Sequence, residues 1–323
     1  MKKTIISVIS AIMLGAMVVG CGNGSANSSD ANKGAASEAA AYEAVTVKHQ
    51  LGEVTITEKP ESVVVFDLGV LDILDTLEVE VAGVVKSSLP DYLSAYNDDK
   101  YGDIGGLKEP DLEGIYELEP DLIIISGRQA DFYEDLSEIA PTINVALDNA
   151  NYIESIKSNI STLADIFEVE DKASEVVAEI DTKVAEASEA IKSEAEGKKA
   201  LVILANDGNI SAYGPGSRFA LVDALGFEAV DATLDNSTHG QAIGYEYISE
   251  KNPDYLFVID RSAAIGTEGA SSAKQSLEND LVKSTNAYKE GNIIYLDATY
   301  WYLAGGGVNS LQSMIEEVHS AVK

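Results

Sequence analysis

Apolar positions in the first half of the chain fall in short β-branched runs at residues 63–67, 82–85, 122–126 and 143–146. Each reads as a strand buried on both faces. Between them the spacing changes to threes and fours over 71–77 and 112–118, which predicts helices. Strands alternating with helices point to an α/β lobe with a mainly parallel sheet. The second half repeats the theme, with strands expected over 200–205, 255–259 and 292–296. Residues 171–196 lie between the halves and contain no Gly or Pro, and Ala173, Val176, Val177, Ile180, Val184, Ala187 and Ile191 form one stripe. This predicts an amphipathic helix of about 26 residues, about 39 Å long, stopped at Gly197. The stripe keeps no strict heptad, which disfavours a coiled-coil partner. Alone between two lobes, such a helix would act as a strut.

An internal repeat supports two related lobes. Leu112-Glu113-Gly114-Ile115, Glu119-Pro120-Asp121 with its apolar run, and Arg128 are followed 133 residues later by Tyr245-Glu246-Tyr247-Ile248, Asn252-Pro253-Asp254 with its own run, and Arg261. Each unit is a helix, a Pro-Asp turn, a buried strand, and an arginine just past the strand's C-terminal end. Ligands of open α/β sheets bind at that end, so the repeat places Arg128 and Arg261 on opposite walls of one interlobe cleft.

Length and charge sharpen this picture. A chain of 323 residues exceeds the usual size of one core, and 46% apolar residues suffice for two. The 54 acidic and 22 basic residues give a net charge of −32, which argues against nucleic acid and against adsorption to anionic lipid. Only three basic residues are arginines: Arg128, Arg218 and Arg261. Arginine suits planar, delocalised anions because its fork stays charged and donates bidentate hydrogen bonds. Arg218 follows Tyr213-Gly214-Pro215-Gly216-Ser217 and precedes an expected helix over 219–225, a further setting for an anion.

The N-terminus reads as a lipoprotein signal peptide over 1–20: Lys2 and Lys3 precede an apolar segment over 4–19 that ends in Val18-Val19-Gly20-Cys21. Cys21, the only cysteine, is the expected lipidation site. Residues 21–44 form the lipidated cysteine and a Gly/Ser/Ala/Asn-rich tether. The expected lobes are then 45–168 and 198–323, joined by the helix 169–197.

Two further segments carry chemistry. His239, in the polar loop Asn236-Ser237-Thr238-His239-Gly240, reads either as a surface residue or as a neutral imidazole ligand for iron. Tyr300-Trp301-Tyr302-Leu303 follows the last strand and precedes three glycines. It reads either as packing at the lobe edge or as a phenolate ligand for Fe(III) with aromatic stacking on a bound molecule. The sequence holds no nucleophile elbow, P-loop, zinc-protease helix or dinucleotide fingerprint, and no enzymatic activity is expected.

The segments Ser126-Gly127-Arg128, Gly216-Ser217-Arg218-Phe219, Thr238-His239-Gly240, Asp260-Arg261 and Tyr300-Trp301-Tyr302-Leu303 resemble those of ferric catecholate-siderophore binders of the petrobactin and enterobactin-fragment kind. These belong to the class III substrate-binding proteins of ABC importers, and the resemblance spans about residues 45–323. It implies two Rossmann-like lobes joined by one long rigid α-helix. It further implies an arginine trio (Arg128, Arg218, Arg261) that neutralises the catecholate complex. Tyr300 and Trp301 would add aromatic contacts. His239 and Tyr302, with Tyr300 as the alternative tyrosine, would complete the coordination of Fe(III) when the siderophore supplies only four donors. Glu113 and Glu246 would dock on permease arginines. The implied protein is a monomer without an intrinsic cofactor. Its ligand is an Fe(III)-siderophore, its partner an ABC permease, and its place the outer face of a cell membrane, of Gram-positive type, through a lipid anchor. Haem, cobalamin or a ferric hydroxamate on the same fold is the competing cargo, and an extracytoplasmic hydrolase is a distant alternative.

Overall fold

The computed structural model describes residues 42–267 and 269–322. The signal segment, the lipidation site Cys21 and the tether up to residue 41 lie outside the described residues. An antiparallel hairpin comes first, β1 (Val45–His49) on β2 (Gly52–Ile56), with Val45 opposite Ile56. The elements β3 (Val63–Val65), α1 (Leu68–Thr76), β4 (Gly83–Val84), β5 (Gly102–Asp103), α2 (Leu112–Glu117), β6 (Leu122–Ile125), α3 (Tyr133–Ile139) and β7 (Thr142–Asn144) follow. Their strands form a fully parallel sheet in the order β5-β4-β3-β6-β7. Every residue of β3 and β6 is buried, which is why these strands are unbroken apolar runs.

Two packed helices separate this sheet from the next in sequence. They are α4 (Tyr152–Phe167) and α5 (Glu170–Glu194), the second being the long helix expected from the apolar stripe. Glu168, in the left-handed region at φ 53°, ends α4 and turns the chain into α5.

The second sheet is built from β8 (Lys199–Asn206), β9 (Asn209–Tyr213), β10 (Glu228–Ala229), β11 (Gln241–Ile243), β12 (Tyr255–Asp260) and β13 (Ile293–Leu296). The short helices α6 (Leu221–Ala224), α7 (Tyr245–Lys251), α8 (Arg261–Ala264), α9 (Ala273–Leu277), α10 (Asp280–Lys283) and α11 (Asn286–Glu290) lie among these strands, and α12 (Val308–Ser320) closes the chain. The order is β11-β9-β8-β12-β13, with β10 beside the start of β8. This sheet is mixed rather than mainly parallel, because β9 runs antiparallel to β8, and β11 to β9. Asp207 and Gly208 both adopt positive φ, 48° and 78°, as a two-residue hairpin turn requires. A helical crossover is therefore replaced by a tight reversal.

The repeat has a physical basis. Glu119 and Asn252, at equivalent positions, are both left-handed, at φ 46° and 45°. Two residues on, Asp121 accepts hydrogen bonds from the Glu61 and Ser62 N–H groups, and Asp254 accepts one from Lys199 N–H. Each Pro-Asp aspartate thus ties its strand to the start of the neighbouring one, β3 or β8.

The last helix returns to the first sheet. α12 packs on α5 and on α1 through buried Val308, Leu311, Met314, Ile315 and Val318. Fully buried Asp72 of α1 meets its N-terminus. Its Oδ1 accepts Asn309 N–H at 3.1 Å and Asn309 Nδ2 at 2.8 Å, and its Oδ2 accepts Ser310 N–H at 2.9 Å and the Tyr92 hydroxyl at 3.3 Å. A Cβ at residue 307 would collide with this carboxylate, so the approach needs Gly307. Burial holds the Asp72 carboxyl above the ordinary range, against the pull of the Ser310 and Asn309 hydrogen bonds.

Candidate functional site

The three arginines meet at one residue. Arg128 stands in the 3₁₀ turn Gly127–Phe132 after β6, where Ser126 and Gln129 close a capping box. Arg261 opens α8 at the C-terminal end of β12, and Arg218 lies in the loop between β9 and α6. Arg128 Nη2 and Arg218 Nη2 both donate to the carbonyl oxygen of Tyr302, at 2.9 and 2.7 Å. Arg261 Nε donates to the Tyr302 hydroxyl at 2.7 Å. The Arg218 guanidinium lies 4.4 Å from the centroid of the Tyr302 ring and 5.4 Å from that of Phe219. Tyr302 belongs to a π-helical turn, Thr299–Leu303, after β13. Arg128 and Arg261, each just past the C-terminal end of its strand, and Arg218, from the β9–α6 loop, therefore converge on Tyr302.

The supporting residues differ between the two sides. Asp67 caps α1 through Gly69 and Val70 N–H, accepts the Ser126 hydroxyl at 2.6 Å and pairs with Arg128 at 3.9 Å. On the other side, Arg261 Nη1 donates to the neutral Asn206 amide oxygen at 3.0 Å. Among the described residues, Arg128 alone of the trio has a carboxylate partner. Burial and the neighbouring Arg128 charge pull the Arg218 pKa below its ordinary value. For Tyr302, burial pushes the phenol up, but the Arg261 hydrogen bond and the charges of Arg218 and Arg261 outweigh it, and the net shift is downward. The cluster stores positive potential and favours an anion.

A cleft of about 620 Å³ shares the π-turn with the trio through Thr299, Tyr300 and Leu303, although none of the three arginines lines it. One wall is residues 87–92 and Leu107; the other is residues 264–266 with Asp297, Thr299, Tyr300 and Leu303. Tyr300 and Tyr92, one from each wall, touch each other on its lining, with ring centroids 5.4 Å apart. The volume is that of a small-molecule site.

The remaining residues named from sequence fall at different depths. Trp301, expected to contact the bound molecule, is instead 3% exposed in the core, packed near Phe219 and donating from Nε1 to Glu317 Oε2 at 2.6 Å. Its indole cannot stack on cargo, and its role is to seat the π-turn. His239 is exposed. Its neighbour Gly240 abuts the Tyr213 ring, which meets Phe219 edge-on beneath Arg218. Glu113 and Glu246 are exposed in the first turns of α2 and α7. Sequence reasoning missed Asp67, Asn206 and Tyr92. The first two had a legible signal, since each is a polar residue at the C-terminal end of an apolar run. Tyr92 had none, because its short 3₁₀ segment has no periodicity.

The description "periplasmic binding protein" matches residues 63–300, and the chain belongs to that family. The petrobactin-binding protein YclQ of Bacillus subtilis (strain 168) is 48% identical over 330 residues, 100% of both chains. Its crystal structure matches with a TM-score of 0.83 at 50% identity, covering 87% of this chain and 99% of that one. The periplasmic catecholate-siderophore binding protein VctP of Vibrio cholerae matches with a TM-score of 0.81 at 37% identity, covering 86% and 100%.

Proposed function

We propose that this chain is the extracytoplasmic binding protein of an iron-siderophore ABC importer, and that it captures a ferric catecholate at the arginine trio and hands it to the permease. The observation that carries the reading is the convergence of all three arginines of a −32 chain on Tyr302, in a π-turn whose other residues line a cleft of small-molecule size. A tris-catecholate Fe(III) complex bears three negative charges, which three guanidinium groups balance. A neutral hydroxamate complex would not require them. The similarity to YclQ and VctP supports the same cargo class. Among the described residues no helix is long and apolar enough to cross a membrane; attachment through Cys21 is part of the proposal.

The test is a fluorescence titration against ferric catecholates, ferric hydroxamates and haem, read at Trp301, the chain's only tryptophan, one residue from Tyr302. Ferric catecholates are expected to quench most steeply, and preference for haem or a hydroxamate would overturn the cargo. His239→Ala and Tyr302→Phe should then separate ligand types. With a hexadentate siderophore the iron is saturated and His239→Ala changes little. With a tetradentate one, both variants should weaken binding and alter the ligand-to-metal charge-transfer band. Equal effects of His239→Ala on both types would remove His239 from the iron.

Docking is assigned to Glu113 and Glu246, with Tyr116 one turn beyond Glu113 and 69% exposed. The double replacement Glu113→Lys/Glu246→Lys is expected to abolish iron uptake while the purified protein keeps its ligand affinity. A loss of affinity would assign these glutamates to the cleft instead.

A further inference from the structure

The π-turn that holds the trio is itself held from behind by one carboxylate. Glu317, on the third turn of α12, accepts Trp301 Nε1–H on Oε2 at 2.6 Å and Asp297 N–H on Oε1 at 2.8 Å. These donors flank the start of the turn, and Tyr302, the turn residue after Trp301, receives all three arginines. Trp301 is 3% exposed, so its N–H finds no water to replace Glu317. Both carboxylate oxygens are engaged, and a bidentate anchor fixes the turn in rotation as well as position. We propose that Glu317 is a positioning residue for ligand binding, acting through Trp301 to set where the Tyr302 carbonyl and hydroxyl present Arg128, Arg218 and Arg261. It contacts none of the arginines and meets the cleft wall only from behind, at the Asp297 amide. The inference rests on the proposed cargo for its affinity readout and stands free of it for its spectroscopic one.

Three variants test it in the full chain. Glu317→Ala frees the indole N–H and the Asp297 amide together. It is expected to shift the Trp301 emission maximum without any ligand present and to weaken ferric catecholate binding about tenfold. Glu317→Gln keeps one acceptor oxygen and should restore part of both. Trp301→Phe removes the donor and leaves the carboxylate, so it should weaken binding in the same direction when followed by charge-transfer absorbance. If Glu317→Ala does not fold, the other two variants decide. A purely structural role predicts an equal affinity loss from Glu317→Gln in the wild type and in an Arg128→Ala/Arg218→Ala background. Positioning predicts that the loss shrinks clearly in that background, because two of the three partners it aligns are missing and only Arg261 remains. Additive losses, or unchanged emission and affinity in Glu317→Ala, would overturn the proposal. Failure of wild type to bind any ferric catecholate would refute the cargo alone, since the emission shift would still report whether Glu317 sets the turn.

Discussion

Arg218→Ala is expected to weaken ferric catecholate binding about ten- to a hundredfold while leaving Tm no lower than that of the wild type. Arg218 is the arginine most enclosed by the Tyr302 and Phe219 rings, and it makes no ion pair among the described residues. Charge-assisted hydrogen bonds in such surroundings contribute about 1.5–3 kcal/mol, and each 1.4 kcal/mol is about tenfold in affinity. The stability expectation has the opposite sign for a physical reason. Burial and the Arg128 charge both oppose the Arg218 cation, so its removal takes away that electrostatic cost, and Arg128 still serves the Tyr302 carbonyl. Function and stability then trade against each other at one side chain. Arg218→Lys should rescue little, because an ammonium lacks the planar face that lies on Tyr302 and Phe219. Isothermal titration and thermal melts on the same preparations check both halves. Wild-type affinity in Arg218→Ala would sink the anion-site assignment.

Asp72→Ala is expected to lower stability by about 3 kcal/mol, on the scale for breaking a buried charged network, which for a domain of this size means a Tm lower by roughly 6–12 °C. The carboxylate satisfies two backbone N–H groups at the start of α12, the Asn309 amide and the Tyr92 hydroxyl. Ser310 is itself fully buried, so its freed N–H has no water to turn to. The pH dependence follows from the direction of the shift. The folded-state pKa is raised above the unfolded one, so the contribution of Asp72 is complete in acid and shrinks as pH rises through the raised value. The Tm gap between wild type and Asp72→Ala should be wider in mild acid than at neutral pH. A small, pH-independent gap would show that the network carries little.

Much of this was legible along the chain. The repeat located Arg128 and Arg261 because a Pro-Asp turn, a buried strand and a strand-end arginine are local features, each with a local cause. The long helix α5 was legible for the same reason, since its stripe is continuous. What the sequence hid was non-local. Asp72 sits in Leu71-Asp72-Ile73 and passes for a polar helix position, because its backbone donors, Asn309 and Ser310, lie 237 and 238 residues away. Trp301 looked like a cargo contact because it lies between two tyrosines that face the site, and a π-turn, with its odd residue count per turn, rotates it into the core. The mixed second sheet was announced by Asp207-Gly208 between two apolar stretches. Strand patterning alone does not distinguish a hairpin from a crossover.

The return of α12 to the first sheet has a consequence for the order in which the chain is made. Asp72 leaves the ribosome 237 residues before Asn309, about 10–50 s earlier at about 5–20 residues per second. Until then its carboxylate must stay hydrated, and α1 cannot take its final seat. The first half of the chain, although it holds a complete parallel sheet, therefore waits for the last helix to be synthesised. A chain cut short before residue 308 would lose more than its own end, because α1 would be left with a carboxylate to bury and, of the donors described, only the Tyr92 hydroxyl to meet it.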